Sequence, residues 1–286
     1  MINKHQPTVI CFVGNLYFSV KIENSIHGLN YESKLIEKSN QITLLDNNPI
    51  HRRLTEPLEG AGAVLVEKIT QWQPVLMIFD LDNTDVPWSD WIAILKSASA
   101  TRRIPILCYG SHKDKNAIQI AHEAGADVVF SRGQFFSELQ VLIKKYAREY
   151  DYELINNACS ESLSELALIG IEEFNNRNYF EAHEYLEDAW NEDGSIGREL
   201  YRAILQVAVA YLHIERNNYR GAMKMFLRVR QWIDPLPSIC RGVDVAQLRD
   251  DAYRVRDALS KLNANNLDEF DRDLLRPIKL ASASIE

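Results

Sequence analysis

Four short apolar runs, each ending where helical spacing begins, dominate the first half of the chain. Residues 8–13, Thr-Val-Ile-Cys-Phe-Val, form the first and stop at Gly14-Asn15; residues 75–79, 105–109 and 127–131 repeat the pattern. A strand apolar at successive positions has no face to offer to water, so such runs read as strands of a parallel sheet covered on both sides. Residues 31–36 supply a fifth strand. Helical stretches fall between them, at 16–27, 61–71, 89–98, 115–124 and 137–150. This alternation predicts an α/β domain over residues 1–150, a flavodoxin-like doubly wound parallel sheet. Residues 39–61 lose periodicity and carry Arg52-Arg53; they are expected to form an extended, mobile loop.

From about residue 158 the spacing is helical throughout, with helices expected at 160–175, 179–191, 198–216, 219–233 and 245–262. Phe174, Tyr179, Ala182 and Leu186 recur forty residues later as Ile214, Tyr219, Ala222 and Phe226. The phrases around Asn178-Tyr179 and Asn218-Tyr219 share one design: asparagine caps, tyrosine packs across the hairpin, and alanine lets two helices approach. This is similar to the turn of a tetratricopeptide repeat. Two such units are too few for a solenoid, so residues 151–286 are expected to form an all-helical bundle of two repeat-like hairpins closed by the fifth helix. No Gly or Pro lies between Gly133 and Gly170, which predicts a helical passage between the domains, with one break near Asp151 and a fixed orientation.

Composition narrows the function classes. A length of 286 residues suffices for two domains, and 46% hydrophobic with 25% charged residues is ordinary for a globular chain. No apolar run reaches membrane-spanning length, and the N-terminus lacks the pattern of a signal peptide. A net charge of -8 argues against nonspecific nucleic-acid binding; residues 151–200 hold 13 Asp and Glu against Arg177 and Arg198, a segment suited to a basic partner or a cation. Cys11, Cys108, Cys159 and Cys240 are isolated in sequence and read as reduced core residues of a cytoplasmic protein.

The densest chemistry lies in residues 178–190. Asn178 is placed to cap a helix, with Glu181 completing a capping box, while Tyr179, Ala182, Leu186 and Trp190 form its apolar stripe. His183 and Glu187 are one turn apart on one face. They are candidate metal ligands, with Glu184 beside them as a candidate catalytic base. A third ligand would come from Gln206 or His213 on the next helix. Counting back from the turn sets Arg202 and Gln206 opposite the pair, with His213 about 10 Å further on. The competing reading is a polar seam, Glu187 with Arg202 and His183 with Gln206, that fixes helix register. A pocket for a small ligand or peptide is the third. Trp190 and Trp232 read as core.

Two resemblances sharpen these readings. Residues 8–149 resemble a response-regulator receiver domain, through Leu76-Met-Ile-Phe-Asp80, Ile104-Pro-Ile-Leu-Cys-Tyr-Gly-Ser111 and Ala124-Gly-Ala-Asp-Val-Val-Phe-Ser-Arg132. Asp80 falls at the receiver's phospho-accepting aspartate. The magnesium-binding acidic pair is replaced by Gly14-Asn15, the hydroxyl residue by Gly110 with Ser111 following, and the lysine by Arg132. The resemblance therefore implies a degenerate receiver with an unphosphorylated Asp80. Residues 174–233 resemble the family called domain of unknown function 309, through Phe174, Tyr179-Phe-Glu-Ala-His-Glu-Tyr-Leu-Glu187, Trp190, Arg202, Gln206-Val-Ala-Val-Ala-Tyr-Leu-His213 and Asn218-Tyr-Arg-Gly-Ala222. That family carries a metal-dependent hydrolase label drawn from its His and Glu pattern. Two functions follow: a regulatory or scaffold protein with a protein partner, which is preferred, and a hydrolase using a divalent metal at His183, Glu184 and Glu187.

Overall fold

The computed structural model describes residues 6–42 and 60–281. The chain divides into two compact units, Met1–Glu149 and Tyr150–Glu286. In the first, β1 (Thr8–Phe12), α1 (Leu16–His27), β2 (Glu32–Ile36), α2 (Gly60–Trp72), β3 (Leu76–Asp80), α3 (Trp88–Ser97), β4 (Ile106–Gly110), α4 (Lys115–Ala124), β5 (Val128–Ser131), α5 (Arg132–Ser137) and α6 (Leu139–Tyr146) follow in order. All five strands pair in parallel, in the order β2-β1-β3-β4-β5, the flavodoxin-like doubly wound topology.

Alternation along the strands feeds both faces. Ile10, Phe12, Met77, Phe79, Ile106 and Cys108 meet Leu65, Ile69, Trp91, Ile92 and Leu95 on one side. Val9, Cys11, Ile78, Leu107 and Tyr109 meet Ile22, Ile26, Phe135, Leu142 and Ile143 on the other. The last helix departs from expectation. It is broken at Glu138 and ends at Tyr146, because the Arg148 N–H turns to the Val75 carbonyl (2.9 Å) and Glu149 bonds the Tyr31 hydroxyl, which draws the chain out extended. Of the loop expected at 39–61, Ser39–Gln41 form a short 3-10 helix, and residues 43–59 lie outside the described residues.

The second unit holds α7 (Tyr152–Cys159), α8 (Glu165–Asn175), α9 (Tyr179–Glu192), α10 (Glu199–Glu215), α11 (Tyr219–Ile233), a small antiparallel pair β6 (Ile239–Cys240) and β7 (Val243–Asp244), and α12 (Val245–Leu259). The helix expected at 160–175 is α8, which begins only at Glu165 because Ser164 caps it through the Ala167 N–H (3.2 Å); before it lies the separate α7, capped by Asp151 through the Leu154 N–H (2.9 Å). The forty-residue repeat has a backbone cause. Arg177 and Asn217 both take the left-handed conformation (φ 65° and 53°), and the following Asn178 and Asn218 N–H groups return to the Glu173 and His213 carbonyls (2.9 and 2.8 Å). Each hairpin thus closes in a Schellman turn. Phe174, Tyr179, Tyr211 and Phe226 form one aromatic cluster over α8–α11, ring centroids 5.3–6.4 Å apart. The Asn178–Glu181 capping box is not formed: the Asn178 amide donates instead to the charged Glu173 carboxylate (2.7 Å), while Asn218 does accept from the Gly221 N–H (2.9 Å).

Cys159 and Cys240 are joined as a disulfide across 81 positions of sequence, whereas Cys11 and Cys108 are free and buried. This corrects the reading of all four as reduced and removes the cysteine argument for a cytoplasmic setting. Sequence separation hid the pair. Beside it, Arg241 is left-handed (φ 52°) with its side chain 3% exposed. All five of its donors are used. Nη1 bonds Asp193 (2.6 Å) and the Tyr201 hydroxyl (2.7 Å), Nη2 bonds Glu161 and Ser195 (2.8 Å each), and Nε bonds the Ala158 carbonyl (3.2 Å).

Candidate functional sites

The first site lies at the carboxyl ends of β1, β3 and β4, where the topology places Asp80, 3% exposed. Asp80 accepts the Asp82 N–H (3.1 Å). Burial, above all, holds its carboxyl above the usual range, with the Asp82 charge adding and the Asp82 amide and Arg132 guanidinium opposing. The substituted positions have structural occupants that the sequence did not reveal. A Cβ at Gly14 would stand 2.9 Å from Asn83 Oδ1, and one at Gly110 would stand 3.1 Å from Leu81 Cβ. Asn83 is fixed there, donating to the Glu37 carbonyl (3.1 Å) and accepting the Asp85 N–H (3.1 Å). Asp82 is taken by an ion pair with Arg132, whose guanidinium lies 5.0 Å over the Phe18 ring. A magnesium ion needs several free oxygen ligands. One carboxylate here is buried with a raised proton affinity and the other is already neutralised, so these residues do not fit that ion.

The second site is on α9. His183 Nδ1 lies 3.0 Å from Glu184 and its Nε2 lies 4.0 Å from Glu187, with the carboxylates half-exposed. Donor atoms of the three lie within 4.8 Å of one another. The two carboxylates address opposite ring nitrogens, so a metal on Nε2 would have Glu187 as co-ligand and Glu184 as the group that orients the ring. That leaves two protein ligands, fewer than the three or four of zinc sites, and water would have to complete the shell. His213 does not join it. Its Nδ1 faces the Asn218 amide (3.1 Å), and burial, then the Arg216 charge, lower its proton affinity.

The proposed seam pairings are also replaced. Arg202 pairs with Glu199 (3.8 Å) and is sandwiched between the Trp190 and Trp232 rings, 4.8 and 3.8 Å from their centroids. It therefore lies level with Trp190 rather than Glu187. The link from α9 to α10 holds a 3-10 turn, Ile196–Arg198, which shifts the register assumed from a short turn. Gln206, buried on α10, leaves its Oε1 without a hydrogen-bond partner rather than meeting His183. Helical spacing alone could not reveal the tryptophan sandwich, because it depends on α11 returning beside α10.

The chain thus joins a doubly wound parallel α/β unit to a unit that is helical except for the short β6–β7 hairpin, which corrects the expectation of an all-helical bundle. Residues 168–225, from within α8 to within α11, match the family described as Domain of unknown function (DUF309). No curated protein matches the chain significantly. Solved structures similar to the first half include the phosphorylated cyanobacterial phytochrome response regulator RcpA, at 10% identity over 49% of this chain and 94% of that one, TM-score 0.37. Another is the receiver domain of sensor histidine kinase PA1611 from Pseudomonas aeruginosa PAO1, with magnesium in its active-site cleft, at 13% over 49% and 97%, TM-score 0.38. A receiver domain from Rhodospirillum rubrum matches at 20% identity over 47% and 89%, TM-score 0.33.

Proposed function

We propose that this is a regulatory or scaffold protein in which a degenerate receiver unit, not switched by phosphorylation, is paired with a helical unit that binds protein. One observation carries the reading: Asn83 and Leu81 pack where the missing acidic and hydroxyl groups would have stood, and Arg132 holds Asp82. Transfer of a phosphoryl group to Asp80 would need a metal to offset the developing charge, and the pocket offers it no free pair of carboxylates. The test is incubation with a small phosphodonor and magnesium, read by intact mass. No adduct is expected; a stable adduct that disappears in Asp80→Asn overturns the proposal. Among the described residues no helix is long and apolar enough to cross a membrane, and the acidic first helices of the second unit are ill-suited to nucleic acid.

A second reading, metal-dependent hydrolysis, has the His183–Glu184–Glu187 geometry in its favour. In that case His183 and Glu187 would hold a divalent ion and an incoming water would occupy an open position. Elemental analysis of purified wild type and His183→Ala separates the two. Stoichiometric metal lost in the variant promotes the hydrolase.

A further inference from the structure

α10 is mostly buried; Arg202, Val209 and His213 are partly exposed and lie in one row with the buried Gln206. α9 and α11 pack on either side of α10, as the stacking of Arg202 between Trp190 and Trp232 records. They are the equivalent helices of the forty-residue repeat and run in the same direction. A residue of α9 therefore lies level with the residue about forty positions on in α11.

The two helices carry opposite charge at matched levels. α9 holds Glu181, Glu184, Glu187, Asp188 and Glu192 with no Lys or Arg; α11 holds Arg220, Lys224, Arg228 and Arg230 with no Asp or Glu. Glu184 corresponds to Lys224 and Asp188 to Arg228. Glu184 and Asp188 are exposed. Among the described residues the Lys224 and Arg228 side chains have no ion pair or hydrogen bond, and the Arg228 Nε is buried without a partner. Phe180, 49% exposed, adds an apolar group to the α9 edge, level with Arg220.

We infer that this face is a homodimer interface, its occupant a second copy of the chain. A two-fold axis parallel to α10 lays α9 of each copy on α11 of the other, level for level. Glu184 then meets Lys224, Asp188 meets Arg228, and Phe180 meets the Arg220 guanidinium, each contact made twice. An axis across α10 would set α9 on α9 and repel. A surface that is its own electrostatic complement under one two-fold is the requirement for an isologous dimer. The inference is independent of whether Asp80 accepts a phosphoryl group or His183 holds a metal.

The test is the mass of the full chain across a concentration series, by sedimentation at low ionic strength, where exposed charges act over about 10 Å or more. Wild type is expected to dimerise, and to weaken as salt rises. Glu184→Lys with Asp188→Lys should raise the dissociation constant about tenfold or more, as should Lys224→Glu with Arg228→Glu, since each set turns attractive contacts repulsive. Combining all four substitutions restores complementarity and should restore the dimer, which no loss of folding could mimic. A monomer at every concentration overturns the inference. So does a dimer indifferent to either reversal, or one dissolved by a chelator, which would mark a metal bridge instead.

Discussion

Truncating Arg241 to alanine tests how far its polar hub, beside the apolar packing of Ile155, Cys240 and Val243, ties α7 and the β6–β7 hairpin to the turn after α9. The guanidinium is 3% exposed and its partner Asp193 is 17% exposed, so both charges are largely out of water. Removing the cation leaves Asp193 with only its Ser195 contacts, and leaves the Tyr201 hydroxyl and the Ala158 carbonyl short of a donor. Breaking a buried pair by deleting one partner costs about 3–5 kcal/mol, a large share of the roughly 5–15 kcal/mol that stabilises a domain. Glu161, the other acid on Arg241, is 58% exposed, and Glu161→Gln should cost about 1 kcal/mol or less. In a background with Trp72, Trp88 and Trp91 of the first unit replaced by phenylalanine, urea titrations followed by the fluorescence of Trp190 and Trp232 report the second unit. Arg241→Ala and Glu161→Gln with the same midpoint would refute the reasoning.

Other outcomes follow from the same packing. Asp193 is made more acidic by its Ser195 and Arg241 bonds, which outweigh burial, so its stabilisation is present above the unfolded value near 4 and is lost as pH falls through the folded one; acid unfolding of wild type should therefore be steeper below about pH 4 than that of Asp193→Asn. Replacing Cys159 and Cys240 with serine opens a loop of 81 positions and should cost about 4–5 kcal/mol on the chain-entropy estimate, measured by denaturation without reductant. Tyr179→Ala should cost about 3–5 kcal/mol because Tyr179 is 2% exposed, and the partly buried Tyr219 less, so equal midpoints would count against the unequal burial of the two turns.

What could be read from the sequence was whatever repeats locally. The strands of the α/β unit are apolar at successive positions, and in the second unit Phe174 with Tyr179 marks the α8–α9 hairpin at a spacing the helix fixes. Asp80 was legible because it ends such a strand. The contacts that were not legible join distant segments. Asn83 fills the space over Gly14 only because β1 and β3 pair, and Arg241 meets Asp193 and Glu161 from 48 and 80 positions away. Arg202 was misassigned because counting back from a short turn set it opposite Glu187, whereas the turn holds a 3-10 segment and two indole faces compete for a guanidinium as effectively as an exposed carboxylate does.

The bond between Cys159 and Cys240 turns α8, α9, α10 and α11 into the body of a covalent ring, and the stretch that matches the DUF309 family lies wholly inside it. A single protease nick in either Schellman turn would leave one covalent molecule, heavier only by the water added, its two pieces separating only under reductant. New chain ends could therefore be opened at Asn217 without freeing any helix from the bundle. Where thiols are kept reduced, the same nick would release α11 and everything after it, so the redox state of the surroundings would decide whether damage in this unit is tolerated or lethal to the fold.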